Sequence, residues 1–211
     1  MIFIDDCKQG TPEWHQLRLG RITSSRIADV MSLARNMDDV SKTRESYMLD
    51  LAIQRITGVI PLGPKSDAID HGHETESQAR AMYEIRTGYD VREVAFVTLG
   101  DYVGVSPDGL VDTDGLIEIK CPNTKTQCNR YYNGIVLPEE YQWQVDSQLW
   151  VTNREWCDFV QFDPRIETQA GYMCNRIYRS EKIIKCMEQE VDKFIDQLEN
   201  MVYMLSKPIE Y

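Results

Sequence analysis

Histidine is scarce, at three residues, and none of the six cysteines stands in C-x-x-C spacing. A structural zinc site is therefore not expected. No run approaches the ~18 consecutive apolar residues that a membrane-crossing helix needs. The opening residues, MIFIDDCKQG, carry acid where an export signal carries a basic end followed by an apolar run. These lacks lead to the expectation of a cytoplasmic protein with no membrane contact and reduced thiols, Cys121 among them. Internal repeats and low-complexity tracts are missing as well. Basic residues are in deficit, with Lys plus Arg 23 against Asp plus Glu 34 and a net charge of −11. That sum does not exclude a polyanionic partner, because binding depends on local charge. Lys120, Lys125 and Arg130 lie in a stretch reaching Leu137 that contains no acid, and Arg18, Arg21 and Arg26 cluster near the start. A bound metal ion would add positive charge that the residue count omits.

What is present is the composition of an ordered chain: 42% hydrophobic and 27% charged residues over 211 positions. Such a chain buries roughly 70% of its unfolded surface. The expectation is a single domain, with a mainly helical part over 1–66, a core over 67–178 and a C-terminal helix over 179–211. Thr11, Pro12 and Glu13 read as a helix start. Ser24 or Ser25 opens a second helix with Ile27, Val30, Met31 and Ala34 on its apolar face. Ser41 opens a third, with Tyr47, Met48, Leu51, Ala52 and Ile56 on one side. Thr57 to Lys65 reads as a loop, and a fourth helix runs from about Ala68 to Thr87, where Gly88 stops it. The period then changes. Val94 to Leu99, Tyr102 to Ser106 and Leu116 to Cys121 read as strands, as do Trp156 to Phe162 and Gly171 to Tyr178. Helices are expected at Asn123 to Asn133, at Glu139 to Val151, and from Ser180 to about Leu205. The fold class is α/β, with a mixed central sheet flanked by helices.

The segment SPDGLVDTDGLIEIKCP carries the chemistry. Asp108 ends one strand, and Glu118 and Lys120 lie two apart on the next, so they share a face while Ile119 points to the core. A hairpin through Asp112 to Gly115 brings Asp108 alongside Glu118. Two carboxylates and an ammonium then converge. Carboxylates with few histidines favour hard cations such as Mg²⁺ or Mn²⁺. Such ions polarise phosphoryl oxygens and lower the pKa of bound water. Lys120 can hold or deprotonate the attacking water, or neutralise transition-state charge. The plain alternatives are an Asp-Gly turn and a solvated E-x-K face.

The arrangement resembles the PD-(D/E)xK nuclease superfamily and, more narrowly, the phage lambda exonuclease or YqaJ-type viral recombinase family. The residues carrying the resemblance begin at Trp14-His15-Gln16-Leu17-Arg18-Leu19-Gly20 and Ile22-Thr23-Ser24-Ser25. They continue through Gly72-His73-Glu74-Thr75-Glu76, Ala79-Arg80 and Tyr83-Glu84, then SPDGL and LIEIKCP. They end with Gln144-Val145, Leu149-Trp150-Val151-Thr152 and Phe162-Asp163-Pro164-Arg165.

The resemblance implies a restriction-endonuclease-like core and roles at matching positions. Asp108, Glu118 and the backbone carbonyl of Ile119 would bind metal, with Glu76 acting near it or through a metal-bound water. Lys120 would be the catalytic lysine, and Gln144 would help to position the nucleophile. Arg18 and Ser25 would grip a terminal 5′-phosphate. Thr126 stands near the place where the family has a basic residue that contacts DNA, a departure from its pattern, and Lys125 beside it would make the backbone contact instead. The implied activity is a Mg²⁺-dependent exonuclease on double-stranded DNA ends, with Mn²⁺ as a substitute and two ions per site. It would run 5′→3′ and leave a 3′ single strand for recombination. A homotrimeric ring, a single-strand annealing partner and a phage or prophage origin are implied with it. The rival readings are an endonuclease or resolvase on the same fold and a DNA-end-binding protein that does not cleave. Gln148 shares a helical face with Gln144 and Tyr141 and reads as part of a polar surface stripe more readily than as a functional residue. His15, His71 and His73 read as solvated or internally satisfied, and Trp14, Tyr83, Trp150 and Trp156 as core.

Overall fold

Thr11 caps the first helix as its position predicts, its hydroxyl accepting the Trp14 backbone N–H at 3.3 Å. The structure, a computed structural model, describes residues 1–32, 41–60 and 67–208, the side chains of 67–74 excepted. In chain order the elements begin with β1 (Ile2–Ile4), α1 (Pro12–Arg18) and β2 (Ile22–Thr23). A 3₁₀ turn, Ser24–Arg26, leads into α2 (Ile27–Val30), followed by α3 (Lys42–Thr57) and α4 (Asp67–Thr87). Then come β3 (Val91–Arg92), β4 (Phe96–Leu99), β5 (Val103–Val105), β6 (Gly109–Val111) and β7 (Gly115–Lys120). The last elements are α5 (Thr124–Tyr132), α6 (Glu139–Thr152), β8 (Trp156–Phe162), β9 (Tyr172–Tyr178) and α7 (Glu181–Leu205). Gly58 at φ 70° and Gly88 at φ 76° end α3 and α4 in the left-handed conformation that glycine adopts without penalty.

The second helix is shorter than expected, a 3₁₀ turn and one α turn, and Ala34 lies outside the described residues. Residues 61–65 of the expected loop lie outside them too, while Thr57 still belongs to α3. Ser41 precedes α3 without capping it, because its hydroxyl bonds Ser32 Oγ at 2.6 Å instead. Ile56, expected on the buried side of α3, is 43% exposed, whereas Tyr47, Met48, Leu51 and Ala52 are buried. Among the described residues no helix is long and apolar enough to cross a membrane.

The central sheet has the order β3-β6-β7-β8-β9 and is mixed: β7 and β8 run parallel, and the other neighbours antiparallel. A second sheet, β1-β4-β5-β2, holds the two strands expected near residues 94–106. Its outer members β1 and β2, like β3 and β6, are only two or three residues long, too short for alternation to mark them.

The β6–β7 hairpin pairs Gly109 with Ile117, Leu110 with Leu116, and Val111 with Gly115. Asp112 turns the corner at φ 46°. Gly109 is a strand residue rather than a turn residue. A Cβ there would fall 2.1 Å from Val91 Cγ1, so β3 packs against bare backbone. The buried Arg154 holds the hairpin end by donating Nη1 to the carbonyls of Val111 (3.0 Å), Asp112 (3.2 Å) and Gly115.

α6 lies between the two sheets. It packs against β4 and β5 on one side, β8 on another, and also α2 and α7. Accordingly Val145, Leu149 and Val151 are buried together with Asp146, Ser147, Gln148 and Thr152. α7 covers α3 and α6 with the stripe Ile184, Met187, Val191, Phe194 and Leu198. Each such side chain removed from water contributes about 1.5–3 kcal/mol.

Candidate active site

Extending the hairpin register by one pair sets Asp108 beside Glu118, and the contacts agree. Asp108 Oδ2 accepts the backbone N–H of Ile119 at 2.6 Å. Glu118 is buried at 1% exposure. Its Oε1 accepts from Gln144 Nε2 at 2.7 Å and meets Lys120 Nζ at 2.5 Å, and its Oε2 accepts from Gln148 Nε2 at 2.6 Å. Burial, and then the charges of Glu118 and Glu76, push the Asp108 carboxyl well above its usual range. Burial works against the Lys120 ammonium, but Glu118 and then Asp108 outweigh it and hold its pKa above that of a free lysine. The ammonium also sits 4.9 Å from the centre of the Tyr141 ring.

Glu76 is half-buried on α4, with Oε1 accepting from Arg80 Nη2 at 3.0 Å, and Arg80 reaches Glu93 at 2.7 Å with its other nitrogen. Its charge weighs on Asp108 and on Cys121. Burial, with those carboxylates, pushes the Cys121 thiol up to about 12, so it is a poor nucleophile near neutral pH. The donors at this place are oxygens, and negative charge is crowded there despite Lys120, which fits a hard divalent cation. Among the described residues no three His, Cys, Asp or Glu side chains already stand around one point at ligating distance. Asp108, Glu118, Glu76 and the Ile119 carbonyl are the groups that would hold the ion.

Arg18 and Ser25 also come together, with Arg18 Nη2 donating to Ser25 Oγ at 3.3 Å. The Arg18 guanidinium lies 4.2 Å above the Trp14 ring, and burial lowers its pKa from the ordinary arginine value. A cavity of about 270 Å³ is lined here by His15, Arg18, Arg21, Thr23, Arg26 and Tyr47, among others. Three arginines in one concavity suit a phosphate group. Ser25 lies in the 3₁₀ turn, not in the first turn of a long helix. A larger cavity of about 790 Å³, between α4 and the ends of β8 and β9, shares no lining residue with either place.

Lys125 is exposed in the first turn of α5, and Thr126 gives its backbone N–H to the capping Asn123. The aromatic expectations divide. Tyr83 and Trp156 are buried. Trp14 and Trp150 are half-buried, and each uses its indole N–H: Trp14 on Ser106 Oγ and the Ala95 carbonyl, Trp150 on Glu188. The side chains of His71 and His73 lie outside those described.

Sequence reasoning undervalued two residues. Gln148 is not part of a surface stripe, since it is fully buried against Glu118. Tyr141 faces both Lys120 and Arg130. The spacing of Tyr141, Gln144 and Gln148 along one helical face was the available signal. The Asp163 block is a structural latch: its carboxylate receives Thr124 Oγ1 at 2.7 Å together with the backbone N–H, Nε and Nη2 of Arg165.

A YqaJ-like viral recombinase domain model matches residues 13–155, which include the arginine cavity, the hairpin and α6. The alkaline exonuclease LHK-Exo from Laribacter hongkongensis is 40% identical, with a TM-score of 0.82 over 92% of this chain and 96% of that one. Its complex with dAMP gives 41% and 0.82. A phage-related exonuclease from Haemophilus somnus, 15% identical over 88% of this chain and 96% of its own, shares the fold with a TM-score of 0.66. An uncharacterized protein of Acanthamoeba polyphaga mimivirus is 26% identical over 75% of this chain, which spans 30% of that protein's length. The chain belongs to the YqaJ-like viral recombinase domain family.

Proposed function

We propose that the chain is a nuclease that hydrolyses double-stranded DNA from an end, and that Mg²⁺, or Mn²⁺ in its place, supports the reaction. The observation that carries this reading is the cluster of Asp108, Glu118, Lys120 and Gln144: Glu118 meets Lys120 at 2.5 Å and Gln144 at 2.7 Å, and Asp108 accepts the N–H of the next residue on the strand, Ile119, at 2.6 Å. The family match and the likeness to an alkaline exonuclease support it. When bound, a divalent ion would polarise the phosphoryl oxygen and make a bound water more acidic, and a pair would steady both attacking and leaving oxygens.

The protein's own groups do the rest. Asp108, Glu118, Glu76 and the Ile119 carbonyl offer the oxygens. Lys120 brings a charged donor toward the developing negative charge. Gln144 holds Glu118 and the nucleophile's side of the site. Arg18 and Ser25 receive the 5′-phosphate, and Lys125 touches the backbone further along. Digestion then runs 5′→3′ and leaves a 3′ single strand for recombination. We further propose that residues 1–211 work as a single domain within a homotrimeric ring in the host cytoplasm, alongside a single-strand annealing partner.

The test uses linear duplexes with a 5′-phosphate or a 5′-hydroxyl, each labelled at one known end, beside covalently closed circles. Mononucleotide release from phosphorylated ends, with circles intact, is the expected result. Cutting of circles would place the activity with endonucleases or resolvases. Asp108→Ala should abolish release while thermal unfolding stays close to wild type. If the purified variant still releases nucleotide, the site assignment fails.

A further inference from the structure

Gln148 is a side chain of the site that core packing does not explain. It is fully buried. Its Nε2 donates to Glu118 Oε2 at 2.6 Å, and its Oε1 is buried without a hydrogen-bond partner. An unpartnered amide oxygen destabilises the interior. An apolar side chain of the same length would pack there more favourably, so the amide answers to Glu118. It also cannot move away. Val145, Asp146, Ser147 and Leu149 on the same helix are all buried, which fixes α6 against the sheet.

The contacts on Glu118 are uneven. An ionised carboxylate has about four acceptor directions. Gln144 and Lys120 take two on Oε1, and Gln148 takes one on Oε2. One direction, on Oε2, is left. Gln144 and Gln148 come from successive turns of a rigid helix and take one oxygen each, so together they set the plane of the carboxylate.

We propose that Gln148 is a positioning residue that orients the Glu118 carboxylate so that Oε2 alone is offered to a divalent cation shared with Asp108. The inference rests on the reading of the carboxylate cluster given above and deepens it. Gln148 needs to touch neither DNA nor the reacting atoms.

The experiment is Mn²⁺ titration of the full chain without DNA, read by electron paramagnetic resonance, on wild type, Gln148→Met and Asp108→Asn, with thermal unfolding of each in chelator. Met keeps the length of the side chain and removes both polar atoms. Gln148→Met should bind Mn²⁺ roughly tenfold more weakly, the scale seen when the partner of a ligand is removed. Its melting temperature in chelator should stay within about 3 °C of wild type, because losing the buried unpaired amide oxygen offsets losing the donor to Glu118 Oε2. Unchanged Mn²⁺ affinity in Gln148→Met, with binding lost in Asp108→Asn, overturns the proposal and leaves the site reading intact. Wild-type binding in Asp108→Asn overturns the site reading itself. Should Gln148→Met fail to fold, Gln148→Asn, an amide one methylene too short to reach Glu118, replaces it and carries the same expectation for Mn²⁺ affinity alone.

Discussion

Trp14 donates its indole N–H to Ser106 Oγ at 2.9 Å, and that hydroxyl stands two residues before Asp108. The same indole ring lies beneath the Arg18 guanidinium. One side chain therefore fixes the arginine cavity relative to the strand that leads to the carboxylates. Trp14→Phe keeps an aromatic ring and loses the donor. Ser106 and the Ala95 carbonyl still satisfy one another at 2.9 Å, so the stability cost should stay near ~1 kcal/mol, the net value of one such bond. The preference for 5′-phosphate over 5′-hydroxyl ends should fall several-fold. Rates on the two duplexes, with a melting curve, check both outcomes.

Asp108 gives a prediction about stability without metal. Burial and two neighbouring carboxylates raise its pKa above the ordinary 3.8. For an acid this means that ionisation is harder in the folded chain, so folding loses stability as pH rises from 3.8 through the raised value. Asp108→Asn removes that charge and keeps an acceptor for the Ile119 N–H. In chelator at about pH 8 the variant should melt a few degrees above wild type, since about 1 kcal/mol moves Tm by about 2–4 °C in a chain of this size. The gap should close as the pH approaches about 4, where the wild-type carboxyl is protonated as well. A variant melting below wild type in the alkaline buffer would contradict this account.

Asp163 should behave in the opposite way. Burial opposes its charge, but its bonds from Arg165 and Thr124 prevail and hold its pKa down at about 2. Its contribution is fully present above the unfolded value near 3.8 and is lost as pH falls from there to about 2. Asp163→Asn should cost about 1–3 kcal/mol at neutral pH, the range for a charge-assisted bond. That difference should shrink below about pH 3. Urea unfolding at neutral pH and again in strong acid measures both values.

Arg154 gathers three carbonyls at the end of the β6–β7 hairpin. Arg154→Met keeps most of the stem and leaves those oxygens without this donor. A loss of about 1–3 kcal/mol is expected for a buried group left unsatisfied. Amide exchange should quicken first at Val111 and Gly115. Exchange that quickens uniformly across the chain would argue against a local role.

The carboxylate pair was legible because turn residues Asp112 to Gly115 separate two apolar runs, and Glu118 and Lys120 alternate with Ile117 and Ile119. Period two then assigns faces without any knowledge of the rest of the chain. The burial of Gln148 was not legible in this way, since a glutamine on a helix suits a solvated face equally well. Only the packing of α6 against β8 and the second sheet distinguishes the two, and that is a tertiary relationship. Ile56 failed for a related reason. Periodicity marks the side of a helix that is apolar, but not where its neighbours stop. The short strands β2, β3 and β6 are stabilised by pairing with partners distant in sequence or across a turn, and two or three residues carry too little pattern to be read alone.

The enclosure of the second half of α6 has a bearing on how the molecule tolerates change. From Val145 to Thr152 only Trp150 has room around it, so a library randomising this stretch should return few functional clones. The outward positions of α7, such as Lys185, Gln189 and Lys193, should accept nearly any replacement. Variation among working relatives should therefore gather on the last helix and thin out sharply along the middle one.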